Sequence, residues 1–122
     1  MTDLATRHAV ERKGTPPLTR EEAEHLRRET PDWALEDNGK AIHRLFTLKD
    51  FKEAITLVQA VADVAESEDH HPDIFNSYKK VRLTLSTHSI GGLSENDFIL
   101  AAKIDRLYRE RFAKAPVTRA EA

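Results

Sequence analysis

Three imidazoles and two carboxylates stand out by type and spacing. His70 and His71 directly precede Pro72, and Glu66 lies four residues before His70. His88 ends an alternating run, and Asp97 follows Ser94 by three positions. Imidazole is the side chain that both gives and takes a proton near neutral pH, so this set is suited to general acid–base chemistry. If residues 66–70 are helical, Glu66 and His70 share a face, and the carboxylate favours a protonated ring. The negative end of a helix would add to that preference. Asp97, in a first helical turn, could orient another group. A plainer reading makes His-His-Pro a helix stop with two solvated rings and leaves His88 on the wet face of a strand, since short motifs often match by chance. A third reading is a metal site, because three His with Glu66 and Asp97 include zinc-type ligands. Against it, consecutive residues at a helix end diverge by roughly 100°, and no His pair has the i, i+4 spacing of helical zinc sites.

The elements that must position these groups follow from periodicity and punctuation. Residues 1–17 lack hydrophobic periodicity and end in Gly14, Thr15, Pro16 and Pro17, which reads as a flexible or loosely docked arm. Thr19 with Glu22 forms a capping box for a short helix that stops near Thr30, before Pro31. Trp33 and Leu35 open a strand, and Asn38-Gly39 predicts a two-residue hairpin turn with both residues at positive φ. The return strand, about Lys40 to Leu48, sets Ile42, Arg44 and Phe46 on one face. Asp50 caps a second helix in which Phe51, Ala54, Ile55, Val58, Val61, Ala62 and Ala65 recur at helical spacing. Phe51, Ile55, Val58 and Ala62 are expected on the sheet, with Leu57 and Val64 to one side. That leaves apolar surface for a partner helix and a homo-oligomer, a homodimer before a homotetramer. Ile74–Tyr78 reads as a third strand, Lys79-Lys80 as a turn, and Val81–His88 as a fourth strand with Val81, Leu83, Leu85 and Thr87 facing one way. Ser94 and Asp97 cap a last helix with Phe98, Ala101, Ile104, Tyr108 and Phe112 on its apolar stripe. The predicted fold is α+β, an antiparallel sheet covered by helices, over residues 18–113 with a C-terminal tail at 114–122.

Composition removes several functions. The chain of 122 residues has 19 Lys+Arg against 21 Asp+Glu, a formal net charge of −2. That balance, with no basic run, argues against nucleic acid and anionic membrane partners. With no cysteine, disulfides, thiolate-held metals and thiol nucleophiles are excluded. Neither a membrane-length apolar stretch nor a secretory signal is visible, so the expected compartment is the cytoplasm. Gly91-Gly92 reads as a loop rather than a phosphate cradle. Trp33, on residue preference alone, reads as core.

Taken together, Glu66-x-x-x-His70-His71-Pro72, Tyr78, His88 and Asp97 resemble the signature of the pterin-4a-carbinolamine dehydratase family. Phe75-Asn76, Lys80-Val81, Leu85-Ser86-Thr87-His88 and Gly92-Leu93-Ser94 agree with it, as do Trp33 and Lys49-Asp50-Phe51 upstream. The resemblance spans about residues 18–107 and leaves the arm and tail outside. Lys79 and Ser77 depart from it at a strand turn. It implies a four-stranded antiparallel sheet with three helices packed on one face. It also implies dehydration of 4a-hydroxytetrahydropterin to quinonoid dihydropterin, with no metal or organic cofactor. His70, His71 and His88 would be the catalytic and substrate-contacting rings, supported by Glu66 and Asp97, with Trp33 lining or bordering the site. Pro72 and Thr87, inside the matched motifs, are carried over as supporting or substrate-binding. The implied partner is a small pterin, with a functional link to an aromatic amino acid hydroxylase. The rival is a non-enzymatic one: the same fold serves as a dimerisation cofactor in animals and resembles assembly helpers of carbon-fixing enzymes in some bacteria. Helpers tend to lose the histidines, and all three are present here.

Overall fold

Three helices begin at side chains able to satisfy the free N–H groups of a first turn. In the computed structural model, which describes residues 3–112, Thr19 and Glu22 form a capping box at the start of α1 (Arg20–Arg27). The Asp50 carboxylate accepts from the Glu53 N–H to open α2 (Phe51–Glu68). Ser94 and Asp97 form a second capping box at α3 (Glu95–Arg111). Such caps are each worth about 1 kcal/mol, and they act locally, which is why they are legible before any tertiary structure is known.

Between the helices lie β1 (Ala34–Leu35), β2 (Ile42–Thr47), β3 (Asp73–Ser77) and β4 (Lys80–Leu85). They form one antiparallel sheet in the order β1-β2-β4-β3. Hairpins join β1 to β2 and β3 to β4. The β2–β4 pairing, with Ile42 opposite Leu85 and Phe46 opposite Val81, welds the two hairpins together. Ile42, Phe46, Val81, Leu83 and Leu85 are all buried on one face, against Leu57 and Val61 of α2 and Phe98 and Ile104 of α3. On the other face Leu45 and Phe75 are exposed. The four-stranded sheet with three helices on one face is thus observed.

Several local expectations change. The first hairpin closes over four residues, 37–40: the Glu36 N–H donates to the Ala41 carbonyl, and the Gly39 N–H to the Glu36 carbonyl, each at 2.9 Å. Gly39 takes positive φ and Asn38 does not, so the turn is not the two-residue type. In the second hairpin Ser77 faces Lys80, which makes Tyr78-Lys79 the turn, one residue earlier than the double lysine suggests. Strand β4 ends at Leu85, and His88 begins a 3-10 turn, His88–Ile90. Gly91 closes that turn at positive φ, and a Cβ on Gly92 would lie 2.8 Å from Pro17.

One correction is larger. Helix α2 buries Ala54, Leu57, Ala60, Val61 and Ala65, whereas Phe51 is exposed and Ile55 and Val58 are only partly covered. The expected face is therefore rotated. The apolar arc of this helix is wide enough that periodicity alone does not choose which part meets the sheet. Of the arm read at 1–17, the described residues from Asp3 onward include several that contact the domain. Leu4 and Ala5, in a 3-10 turn Leu4–Thr6, are buried against α3, and Lys103 Nζ donates to the Ala5 carbonyl at 2.8 Å. The tail expected at 114–122 lies outside the described residues.

Candidate active site

The histidines are positioned by the end of α2 and the end of β4. Helix α2 stops at Asp69, which takes the left-handed conformation at φ 50°; its N–H and that of His70 both turn back to the Ala65 carbonyl. This left-handed ending satisfies carbonyls that the helix would otherwise leave free. It also swings His70 off the helical path.

That swing changes its partner. The helical i, i+4 rule pairs Glu66 with His70, but the structure pairs Glu66 Oε2 with His71 Nε2 at 2.7 Å. Both side chains are more than half exposed, so that contact is a surface pair worth at most about 1 kcal/mol. His70 instead places Nε2 2.6 Å from Asp97 Oδ1. Asp97 is fully buried. Its other oxygen, Oδ2, accepts from the Thr87 hydroxyl at 2.8 Å and from the Ser94 N–H at 3.0 Å. Thr87 Oγ1 also lies 2.7 Å from Ser94 Oγ. One carboxylate thus caps α3 and holds an imidazole.

The consequence is a defined tautomer. With Asp97 accepting, Nε2 of His70 carries a proton and Nδ1 is the nitrogen left for a ligand. A neutral ring then offers a base at Nδ1, and a protonated ring offers an acid at the same atom. His88, exposed at the start of its 3-10 turn, has no side-chain hydrogen-bond partner among the described residues. A surface depression of about 220 Å³ brings His70, His71 and His88 together with Thr87 and Ser86. Pro72 follows His71 between α2 and β3. Among the described residues no three His, Cys, Asp or Glu side chains are arranged to hold one metal ion.

Trp33 lies elsewhere. Its indole is buried, packs edge-on against Phe46, and donates to Asp105 Oδ1 at 2.8 Å. None of these contacts involves the histidines. Sequence reasoning missed Asp105 and its second partner, the Arg44 guanidinium at 2.6 Å. The available signal was an acid on the inward stripe of the last helix, opposite an Arg on the inward face of β2. Ser94 was read only as a cap, and its tie to Thr87 was not visible.

A family model described as pterin 4 alpha carbinolamine dehydratase matches residues 16–107. The chain is 45% identical over 94 residues to a protein of Halorhodospira halophila named "Putative pterin-4-alpha-carbinolamine dehydratase", covering 77% of this chain and 86% of that one. A protein of the same name from Nitrosospira multiformis is 45% identical over 108 residues, covering 88% and 94%. Among solved structures, a transcriptional coactivator/pterin dehydratase from Brucella melitensis superposes with a TM-score of 0.71 at 38% identity, over 75% of this chain and 97% of that one. A pterin dehydratase-like protein identified as a RuBisCO assembly factor in the alpha-carboxysome shares the fold, with a TM-score of 0.54 at 21% identity over 62% and 88%. The extent of the family match and the identity to these relatives place the chain in the pterin-4a-carbinolamine dehydratase family.

Proposed function

We propose that the protein dehydrates 4a-hydroxytetrahydropterin to quinonoid dihydropterin by imidazole acid–base catalysis, returning the pterin cofactor of aromatic amino acid hydroxylases to use. The reaction breaks the C4a–O and N5–H bonds, forms the C4a=N5 double bond, and releases one water in total, the proton lost from N5 balancing the one delivered to the hydroxyl. A proton must reach the leaving hydroxyl, and a base must take the one from N5. The observation that carries this reading is His70 held through Nε2 on the buried Asp97, in the same depression as His71 and His88. Such an arrangement presents Nδ1 as a proton donor of fixed direction. His70 and His88 act as general acids from different sides of the ring, while His71 positions the pterin or assists at N5. Glu66 steadies His71, and Thr87 steadies Asp97.

The fold also occurs in an assembly factor, so the fold alone does not decide function and the site must. We further read the protein as a cytoplasmic homo-oligomer. No helix of the described residues is long and apolar enough to cross a membrane, and exposed Phe51 beside half-covered Ile55 and Val58 offers a contact surface. Light scattering showing only monomer at micromolar concentration would contradict the oligomer. The test of function is addition of the purified protein to a hydroxylase reaction while decay of the 4a-carbinolamine is followed. Decay is expected to accelerate, equally with and without a chelator. No acceleration would overturn the assignment, and loss on chelation restored by zinc would end the metal-free mechanism.

A further inference from the structure

A second cavity of about 220 Å³ lies behind His70, and one wall of it is the N-terminal segment Ala9–Arg12. The two cavities share Asp69, His70, Thr87 and Ser89. His70 therefore stands between a chamber that holds the other histidines and a chamber walled by the arm. Each alone falls below the roughly 300 Å³ at which sites for small organic ligands begin, and joined they exceed it.

The wall is held in place by specific contacts. The Ala9 N–H donates to Glu68 Oε1 at 2.8 Å, and the Val10 N–H to Asn96 Oδ1 at 3.1 Å. Asn96 Nδ2 returns a bond to the Val10 carbonyl at 2.7 Å, and Arg12 Nε donates to Asn96 Oδ1 at 3.1 Å. Burial pushes the Glu68 carboxyl up, but the Ala9 N–H, His8 and Lys103 outweigh it and hold its pKa below the ordinary value. Of these, the arm residues His8–Arg12 precede the span matched by the family model, which begins at residue 16, whereas Glu68, Asn96 and Lys103 lie within it.

We propose that this chamber receives the hydroxylated substituent on C6 of the pterin, with Arg12 as its contact, so that the arm sets substrate selectivity. The inference rests on the proposed function for the identity of the pterin and adds to it the place and the contact of its substituent. Glu11, Glu68 and Asp69 face the chamber against Arg12, its one Arg or Lys among the described residues. That balance disfavours a phosphate or carboxylate and suits neutral hydroxyls, which both give and accept hydrogen bonds. The Arg12 guanidinium, bonded to Asn96 through Nε and with Nη2 3.5 Å from Glu95 Oε1, keeps the Nη1 N–H donors for a ligand oxygen.

The test is the selectivity ratio: kcat/KM for the 4a-carbinolamine of tetrahydrobiopterin divided by that for its 6-methyl analogue, which lacks the side-chain hydroxyls. Arg12→Ala is expected to lower the ratio about tenfold, the worth of one hydrogen bond to a charged group. Arg7→Ala is the control, because Arg7 ties the arm to Glu95 at 2.8 Å without lining the chamber. An unchanged ratio in Arg12→Ala, or an equal fall in Arg7→Ala, would overturn Arg12 as the contact. Calorimetric binding of dihydrobiopterin and its 6-methyl analogue gives the same comparison without turnover. Wild-type protein that accelerates neither substrate defeats the proposed function, whereas normal rates with an Arg12-independent ratio defeat only this inference.

Discussion

Asp97, in the first turn of α3, and Asp105, eight residues further along, are both buried carboxylates, 0% and 9% exposed, set among very different partners. Asp97 accepts from a hydroxyl and a backbone N–H and turns its remaining oxygen to an imidazole that reaches the surface. Asp105 accepts from an indole and a guanidinium, and that guanidinium lies over the rings of Phe46 and Tyr108. A guanidinium and an indole are not groups that exchange protons near neutrality, so among the described residues Asp105 has hydrogen-bond partners suited to structure rather than to proton transfer. Burial raises the Asp105 pKa, Trp33 and Arg44 offset part of the rise, and nearby Asp32 adds to it. The two acids are about 12 Å apart along the helix axis. One carboxylate is spent on a titratable ring at a cavity, the other on fixing the packing of the core.

Substitutions at the two ends should therefore fail in different ways. Asp97→Asn has the largest expected effect short of removing an imidazole. It replaces a charge-assisted bond to His70 with a neutral one, at about 1.5–3 kcal/mol, and should slow turnover roughly 10–100-fold. Circular dichroism should still show the native fold, because the amide oxygen can accept from Thr87 or Ser94. Wild-type rates in Asp97→Asn would remove the orienting role. At the other end, Trp33→Phe keeps the ring but deletes the donor to Asp105. Unfolding in denaturant should report a loss of about 1–3 kcal/mol with kcat unchanged. A matching fall in kcat would join Trp33 to the site after all.

The smallest effect is on pH dependence, and its sign differs between two acids. Glu68, with its folded pKa below the ordinary 4.5, stabilises the fold above that value and loses this as pH falls through the depressed pKa. The cost of Glu68→Gln should be full at neutral pH and fade in acid as the carboxyl protonates. Asp105, with its folded pKa above the ordinary 3.8, behaves oppositely: stability falls as pH rises from 3.8 through the raised value. Asp105→Asn should gain on wild type over that interval. Thermal midpoints measured from acid to neutral pH check both, and parallel curves for all three proteins would contradict the assignments.

What could be read from the sequence divides by distance along the chain. The caps at Thr19, Asp50 and Ser94 needed only three or four residues of context, and so did the stop at His70-His71-Pro72. The histidine set was legible as a set. Its internal pairing was not, because a single left-handed residue, Asp69, moved Glu66 from His70 to His71 and left His70 for an acid 27 positions away. The face of α2 was not legible either, since an apolar arc this wide leaves the choice to the sheet beneath it. The arm gave no periodic signal. It is fastened through backbone groups to Glu68 and Asn96 and through the side chains of Arg7, His8 and Arg12, contacts that follow no helical or strand repeat.

The central claim is that His70 and His88 deliver protons from different sides of one pterin. Its most direct test is the decay of each 4a-epimer, followed separately with His70→Ala and His88→Ala. A positioned acid typically contributes ~10²–10⁴-fold. Each variant is expected to lose a factor of that order for one epimer and far less for the other, with opposite preferences. His71→Ala should slow both alike through weaker binding. Equal losses for both epimers in His70→Ala and in His88→Ala would contradict the two-acid account and leave a single shared acid–base pair in its place.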